Sequence, residues 1–267
     1  MADHNFMLSC HSYFFNGNEF QDFHKALEMG DVEEFHKFME KLISDNENTI
    51  KCMQDTNLDT EKYMEKMMNS IATSCVWCHT SKSLRIFEVL LTDYKYVLSD
   101  AFLKYHIGNQ ITLGALIFLS NRIDLRKYLP EIRSMFWGAC SQCNIQYIKK
   151  FTGLGFTVQE LSESSDNNEY RGQTVWFYAL QNDDETVIEF LLENHIDFKK
   201  YEFNILRDCI FRQKIKSMKI FIGYGINVSV LNKLKEENFK KTNVELYKLL
   251  IEHNIEPMTA ALLQLEH

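Results

Sequence analysis

Two cysteine pairs, Cys75-Val76-Trp77-Cys78 and Cys140-Ser141-Gln142-Cys143, have the C-x-x-C spacing used by four-cysteine zinc sites and by redox dithiols. The first runs into His79 and so spells the attachment motif of c-type haem. Cys78 and His79 also supply the residue types of a nucleophilic thiol and its base. Each chemistry makes a positional demand. Haem attachment needs an exported maturation route, whereas the opening MADHNFMLSC lacks the basic start and long apolar run of a secretory leader. A thioredoxin-like dithiol needs a helix N-terminus in a βαβ setting to lower its pKa; both pairs fall towards the C-terminal end of a helical pattern. The chain contains no glycine-rich phosphate loop, GxSxG elbow or HExxH helix. The residues therefore predict no catalytic centre, no cofactor and no metal site.

Composition narrows the setting. The chain has 267 residues, 45% hydrophobic and 25% charged, which is enough to bury a substantial core. Two prolines and ten glycines disfavour collagen-like, disordered and turn-dense β architectures and point to helices. The strongest apolar stretch, Ile111 to Leu119, is far shorter than the roughly 20 residues a membrane span needs. Seven cysteines, an odd number in a long chain, read as reduced thiols in the cytoplasm. A net charge of −8 disfavours nucleic-acid and anionic-membrane partners. The abundance of Asn, Lys, Ile, Phe and Tyr fits an AT-rich genome, and with it an effector that is secreted into a host cell. The closing Leu265-Glu266-His267 resembles a vector-tag remnant.

The elements that position these cysteines are short helices in pairs. Residues 174–180 and 186–193 carry apolar residues at helical spacing on either side of the polar turn Gln181-Asn-Asp-Asp-Glu185. The same outline recurs at 23–30 and 31–40, at 135–143 and 144–155, and at 205–214 and 215–225, while 243–254 closes a further pair. Ser83 to Leu91 reads as a second helix, and Ile111 to Leu129 as a hairpin of uncertain register. Two segments break the pattern and are predicted to be irregular insertions, at about 43–66 and 162–170.

This arrangement resembles the ankyrin repeat, two antiparallel helices and a loop over about 33 residues. By that resemblance Thr174 opens a first helix, Ala179 and Leu180 fill its small core positions, Val187, Ile188, Leu191 and Leu192 are buried in the second, and Asp197 is the loop aspartate. Ala139 and Cys140 are the equivalent small pair, Gly155 a left-handed helix end and Val158 the apolar loop residue; Gly225-Ile-Asn-Val228 repeats that ending. The outer-loop positions are Gly155, His195, Gly225 and Asn254; the turns inside the hairpins fall at Gly30, Cys143, Asp183, Gln213 and Thr242. The family's Thr-Pro-Leu-His opening is nowhere intact. The resemblance implies an all-α, ankyrin-like solenoid of six to seven repeats forming one domain over 1–264, with little or no β structure.

The repeat also bears on the cysteines. Cys75-x-x-Cys78 and Cys140-x-x-Cys143 fall at equivalent first-helix ends two repeats apart, so stacking at about 10 Å per step separates them by roughly 20 Å, against zinc–sulfur bonds of about 2.3 Å. One shared site is not expected. Cys140 reads as core and Cys143 as turn. By resemblance, a protein partner contacts the first helices and loop tips of a concave face, around Trp77, Trp137, Phe177, Asp183 and Asp184, while Trp176 is core. The expectation is a monomeric, non-catalytic interaction scaffold, its net charge favouring a partner with a basic or mixed surface. Alternatives are an effector enzyme with a Cys/His site within 43–132, or a decoy competing with a host ankyrin protein.

Overall fold

The computed structural model describes residues 17–55, 60–77, 80–108, 111–163, 174–182, 184–233, 244–253 and 255. Among them are fourteen α-helices, three short 3-10 turns and no strand, so the protein is all-α. The chain divides into two compact units, Met1–Tyr128 and Leu129–His267.

In the first unit α1 (Gly17–Met29) and α2 (Val32–Asp55) form a hairpin, followed by α3 (Thr60–Trp77), α4 (Ser81–Thr92), α5 (Asp100–Gly108), α6 (Leu113–Ser120) and a 3-10 turn at Leu125–Tyr128. Helix α4 is the hub, packing on α1, α2, α3 and α6. Its apolar stripe Ile86, Phe87 and Leu90 is fully buried. Phe23, Phe35 and Phe38 interlock in the α1–α2 hairpin with ring centroids 4.9 to 6.3 Å apart. Each such side chain contributes about 1.5–3 kcal/mol on leaving water.

The predicted insertion at 43–66 is helical wherever it is described. Helix α2 continues to Asp55 and α3 begins at Thr60. Half-buried Tyr63 and Met64 lead into the buried Met67 and Ile71 of α3, Tyr63 donates to the Asn46 side chain at 2.7 Å, and Asn46 donates to the Leu42 carbonyl at 2.8 Å. Of the second predicted insertion, residues 164–170 lie outside the described residues, and 158–162 are helical.

The second unit contains α7 (Leu129–Ser141), α8 (Ile145–Gly153), α9 (Val158–Ser162), α10 (Val175–Ala179), α11 (Thr186–Glu193), α12 (Glu202–Phe211), α13 (Ile215–Gly223) and α14 (Val244–Glu252). Helices α7, α10 and α12 lie side by side, and each packs against its own partner, α8, α11 and α13. The small pairs at the first-helix ends are buried: Ala139 with Cys140, Ala179 with Leu180, and Cys209 with Ile210, as are Ala26 with Leu27 in α1. Trp176 is 1% exposed and its Nε1 donates to the Asp197 carbonyl at 3.2 Å, a core placement that agrees with the sequence.

One hydrogen-bond pattern ends helix after helix. The residue in left-handed conformation donates to the carbonyl three residues earlier, and the next residue donates five back, which satisfies the orphan carbonyls of a helix end. At the inner turns Gly30, Cys143 and Gln213 take φ of +66°, +52° and +58°. Their bonds run to Leu27, Cys140 and Ile210, and those of Asp31, Asn144 and Lys214 to Ala26, Ala139 and Cys209. At the outer loops Gly155, His195 and Gly225 take φ of +85°, +56° and +84°. The apolar residue after each, Phe156, Ile196 or Ile226, is buried. Asn254 lies outside the described residues, although Ile255 donates to the Leu250 carbonyl five residues back. Lys95, at φ +53° after α4, is a further left-handed residue that the sequence did not point to.

Candidate partner-binding surface

The residues singled out from the sequence separate into distinct environments. Trp137 is corrected: it is 5% exposed, and its Nε1 donates to the Leu161 carbonyl at 2.8 Å. The cause is α9, which folds back onto α7 after the outer loop and covers a position that helical spacing alone leaves open. A capping box fixes α9 there: Thr157 Oγ1 accepts from the Glu160 amide at 3.1 Å, and Glu160 accepts from the Thr157 amide at 2.8 Å. Trp77 is the last residue of α3, and its side chain is not among those described. Asp183 lies outside the described residues, as do Cys78 and His79.

Phe177 and Asp184 do reach the surface. Phe177 sits half-buried on α10 with the Arg212 guanidinium 5.0 Å from its ring centroid. Tyr178 beside it bridges the rings of Phe177 and Trp137, at 5.4 and 5.6 Å. Asp184 is exposed, but its carboxylate accepts from the Thr186 amide at 3.0 Å, starting α11 and holding its own pKa down. The inner turns of neighbouring hairpins are tied edge to edge. Asn182 Nδ2 donates to the Ser141 carbonyl at 3.0 Å, and the Cys143 thiol donates to the Asp184 carbonyl at 3.4 Å. The surface so formed comprises the exposed faces of α7, α10 and α12 and the turns at 141–144, 182–185 and 212–214.

The sequence did not single out Phe211, Arg207 or Arg212. Phe211 is 55% exposed at the C-terminal end of α12. Arg207 pairs with Asp208 at 3.2 Å and leans over the Phe203 ring at 6.0 Å. The signal was available: relative to the small pairs, 137, 177 and 207 share the position two before, and 141, 181 and 211 the position one after.

Cys75, Cys140 and Cys209 are buried, and Cys143 is half-buried. Burial pushes the Cys140 and Cys209 thiols well above the ordinary range, so neither holds the thiolate needed for attack. Among the described residues no three His, Cys, Asp or Glu side chains are grouped to hold a metal ion, and no helix is long and apolar enough to cross a membrane. The first unit has an open groove of about 550 Å³ beside the α1–α2 turn, lined by Met29, Asp31, Glu33, His36 and Arg85 among others. His36 there meets the Tyr94 hydroxyl at 2.9 Å through Nδ1 and Asp93 at 3.4 Å through Nε2. Carboxylates and cations share this lining, so it favours no single ligand charge.

The site thus defines a helical-hairpin protein with an aromatic and charged first-helix face. Comparison of the sequence with family models and curated proteins, and of the fold with solved structures, returned no significant match.

Proposed function

We propose that the chain is a divergent ankyrin-like repeat protein that acts without catalysis, by binding another protein through its first-helix face and inner turns. The observation that carries this reading is the recurrence of one turn. Gly30, Cys143 and Gln213 close their first helices with the same left-handed residue and the same pair of hydrogen bonds. In the second unit this brings three first helices side by side with their turns on one edge. Repeated hairpins bury a continuous core on one side and leave an extended face on the other, where variable side chains serve recognition. Half-buried Phe177 and exposed Phe211 are the type of aromatic anchor that dominates such interfaces.

Affinity capture with matched surface variants tests the proposal. Phe177→Ala and Gln181→Arg, on the first-helix face, should abolish retention of a partner that the unaltered chain captures. Lys149→Glu and Glu189→Lys, on the exposed face of the second helices, should retain it, with circular dichroism unchanged in all four. Loss on the second-helix variants and not on the first would place recognition elsewhere and defeat the reading. So would turnover of a small molecule that depends on Cys78 or His79.

A further inference from the structure

The charge around α12 runs against that of the chain. Although the whole protein carries −8, residues 207–219 hold Arg207, Arg212, Lys214, Lys216 and Lys219 against the single acid Asp208. Two of these cations are already neutralised: Arg207 by Asp208 at 3.2 Å, and Lys219 by Glu245 at 2.8 Å. Arg212 is exposed, and its contact is with the face of Phe177. That contact brings the cation to the ring, yet a ring face cannot take the in-plane hydrogen bonds that its N–H fork donates. Phe211, the preceding residue, turns more than half of its surface to solvent. An exposed cation with open donors thus directly follows an open aromatic residue at the rim of the first-helix face.

We infer that this corner receives an acidic polypeptide segment, in which a carboxylate engages Arg212 and an adjacent apolar side chain covers Phe211. A carboxylate matches the planar fork of arginine bidentately, and a neighbouring apolar group removes Phe211 from water. This deepens the proposal that the face binds protein, and rests on it. Charge complementarity decides between polypeptide and nucleic acid. The turn after α10, on the hairpin that carries Phe177, presents Asp184 and Glu185, which with Lys214 surround Cys143, and a continuous phosphate backbone would run onto them. A peptide can confine its negative charge to the cationic side.

The test uses the full chain and three fluorescent probes: a twelve-residue peptide alternating Glu with Phe and Leu, its counterpart with Lys for Glu, and a fifteen-nucleotide single-stranded oligouridine. The acidic peptide should bind with an affinity that falls as salt rises. Arg212→Ala should weaken it about tenfold and Phe211→Ala several-fold, while Lys149→Ala leaves it unchanged. Failure of the acidic peptide to bind, tighter binding of the lysine peptide, tighter binding of the oligouridine, or equal loss with Lys149→Ala would each overturn the inference. Panning a random peptide library on the same protein separates this failure from failure of the broader reading. Non-acidic peptides that depend on Phe177 would sink the acidic occupant and leave the binding face standing. Peptides indifferent to both Phe177 and Arg212 would remove both.

Discussion

Cys143 and Gln213 adopt the same left-handed backbone, at φ +52° and +58°, and each donates to the carbonyl three residues earlier, on Cys140 and Ile210. Neither is glycine, and a side chain in this region costs roughly 1–2 kcal/mol. The chain tolerates that cost at turns where Gly30 avoids it.

Replacing Gln213 with glycine should therefore stabilise the protein. The relief of left-handed strain exceeds the roughly 0.5–1 kcal/mol of extra unfolded-state entropy that glycine brings. Differential scanning calorimetry should show a midpoint raised by a degree or two, whereas Gln213→Val should lower it by several degrees.

Gly30 makes the complementary case. A Cβ there would meet Lys82 Cβ at 2.8 Å, with the backbone at φ +66°. Gly30→Ala carries both penalties and should cost about 2–4 kcal/mol in urea unfolding. Combining it with Lys82→Gly removes the Lys82 side-chain contacts but leaves the Lys82 Cα at 3.1 Å and the strain, so the double variant should recover only part of the loss.

His106 makes the first unit sensitive to acid. Its ring is 2% exposed, lies against Phe102 and contacts Thr73 Oγ1 at 3.1 Å; burial lowers its pKa to about 4. Because the unfolded imidazole titrates near 6.5, the unfolded state binds the proton more readily between these values. Stability from the neutral ring is full above pH 6.5 and is lost as pH falls towards 4. Denaturant midpoints measured at pH 7 and pH 4.5 should differ less in His106→Gln than in the unaltered protein; an equal difference would disprove the assignment.

Trp137 is expected to matter for stability and not for recognition. Trp137→Phe leaves the Leu161 carbonyl without its indole donor and should cost about 1–3 kcal/mol. Partner affinity, measured on the folded fraction, should stay within twofold of the original.

Much of the fold could be read from the sequence because burial on a helix leaves a period. The pairs Ala139-Cys140 and Ala179-Leu180 fixed the first helices, and the positions of Gly155, His195 and Gly225 marked the outer loops, where the backbone does turn left-handed. The segment at 43–66 is less legible because its apolar residues are sparse: α2 runs past Leu42 with Asn46 bonded to Tyr63, and the apolar spacing of α3 resumes at Tyr63 and Met64, ahead of Met67 and Ile71. The binding face was less legible. Phe177 is legible by its position, whereas the Arg212 guanidinium over it is a relation between two hairpins that no local spacing shows.

By itself the sequence determined the helical class, the helix pairs of the second unit and the left-handed ends at Gly155, His195 and Gly225, because these follow from local spacing and the backbone preferences of single residues. Only the tertiary structure decided which aromatic rings remain open. Trp137 and Phe177 occupy equivalent positions on their helices, yet α9 folds over one and leaves the other beneath a solvent-facing arginine. Exposure depends on what another segment of chain covers, and no spacing within a helix encodes it.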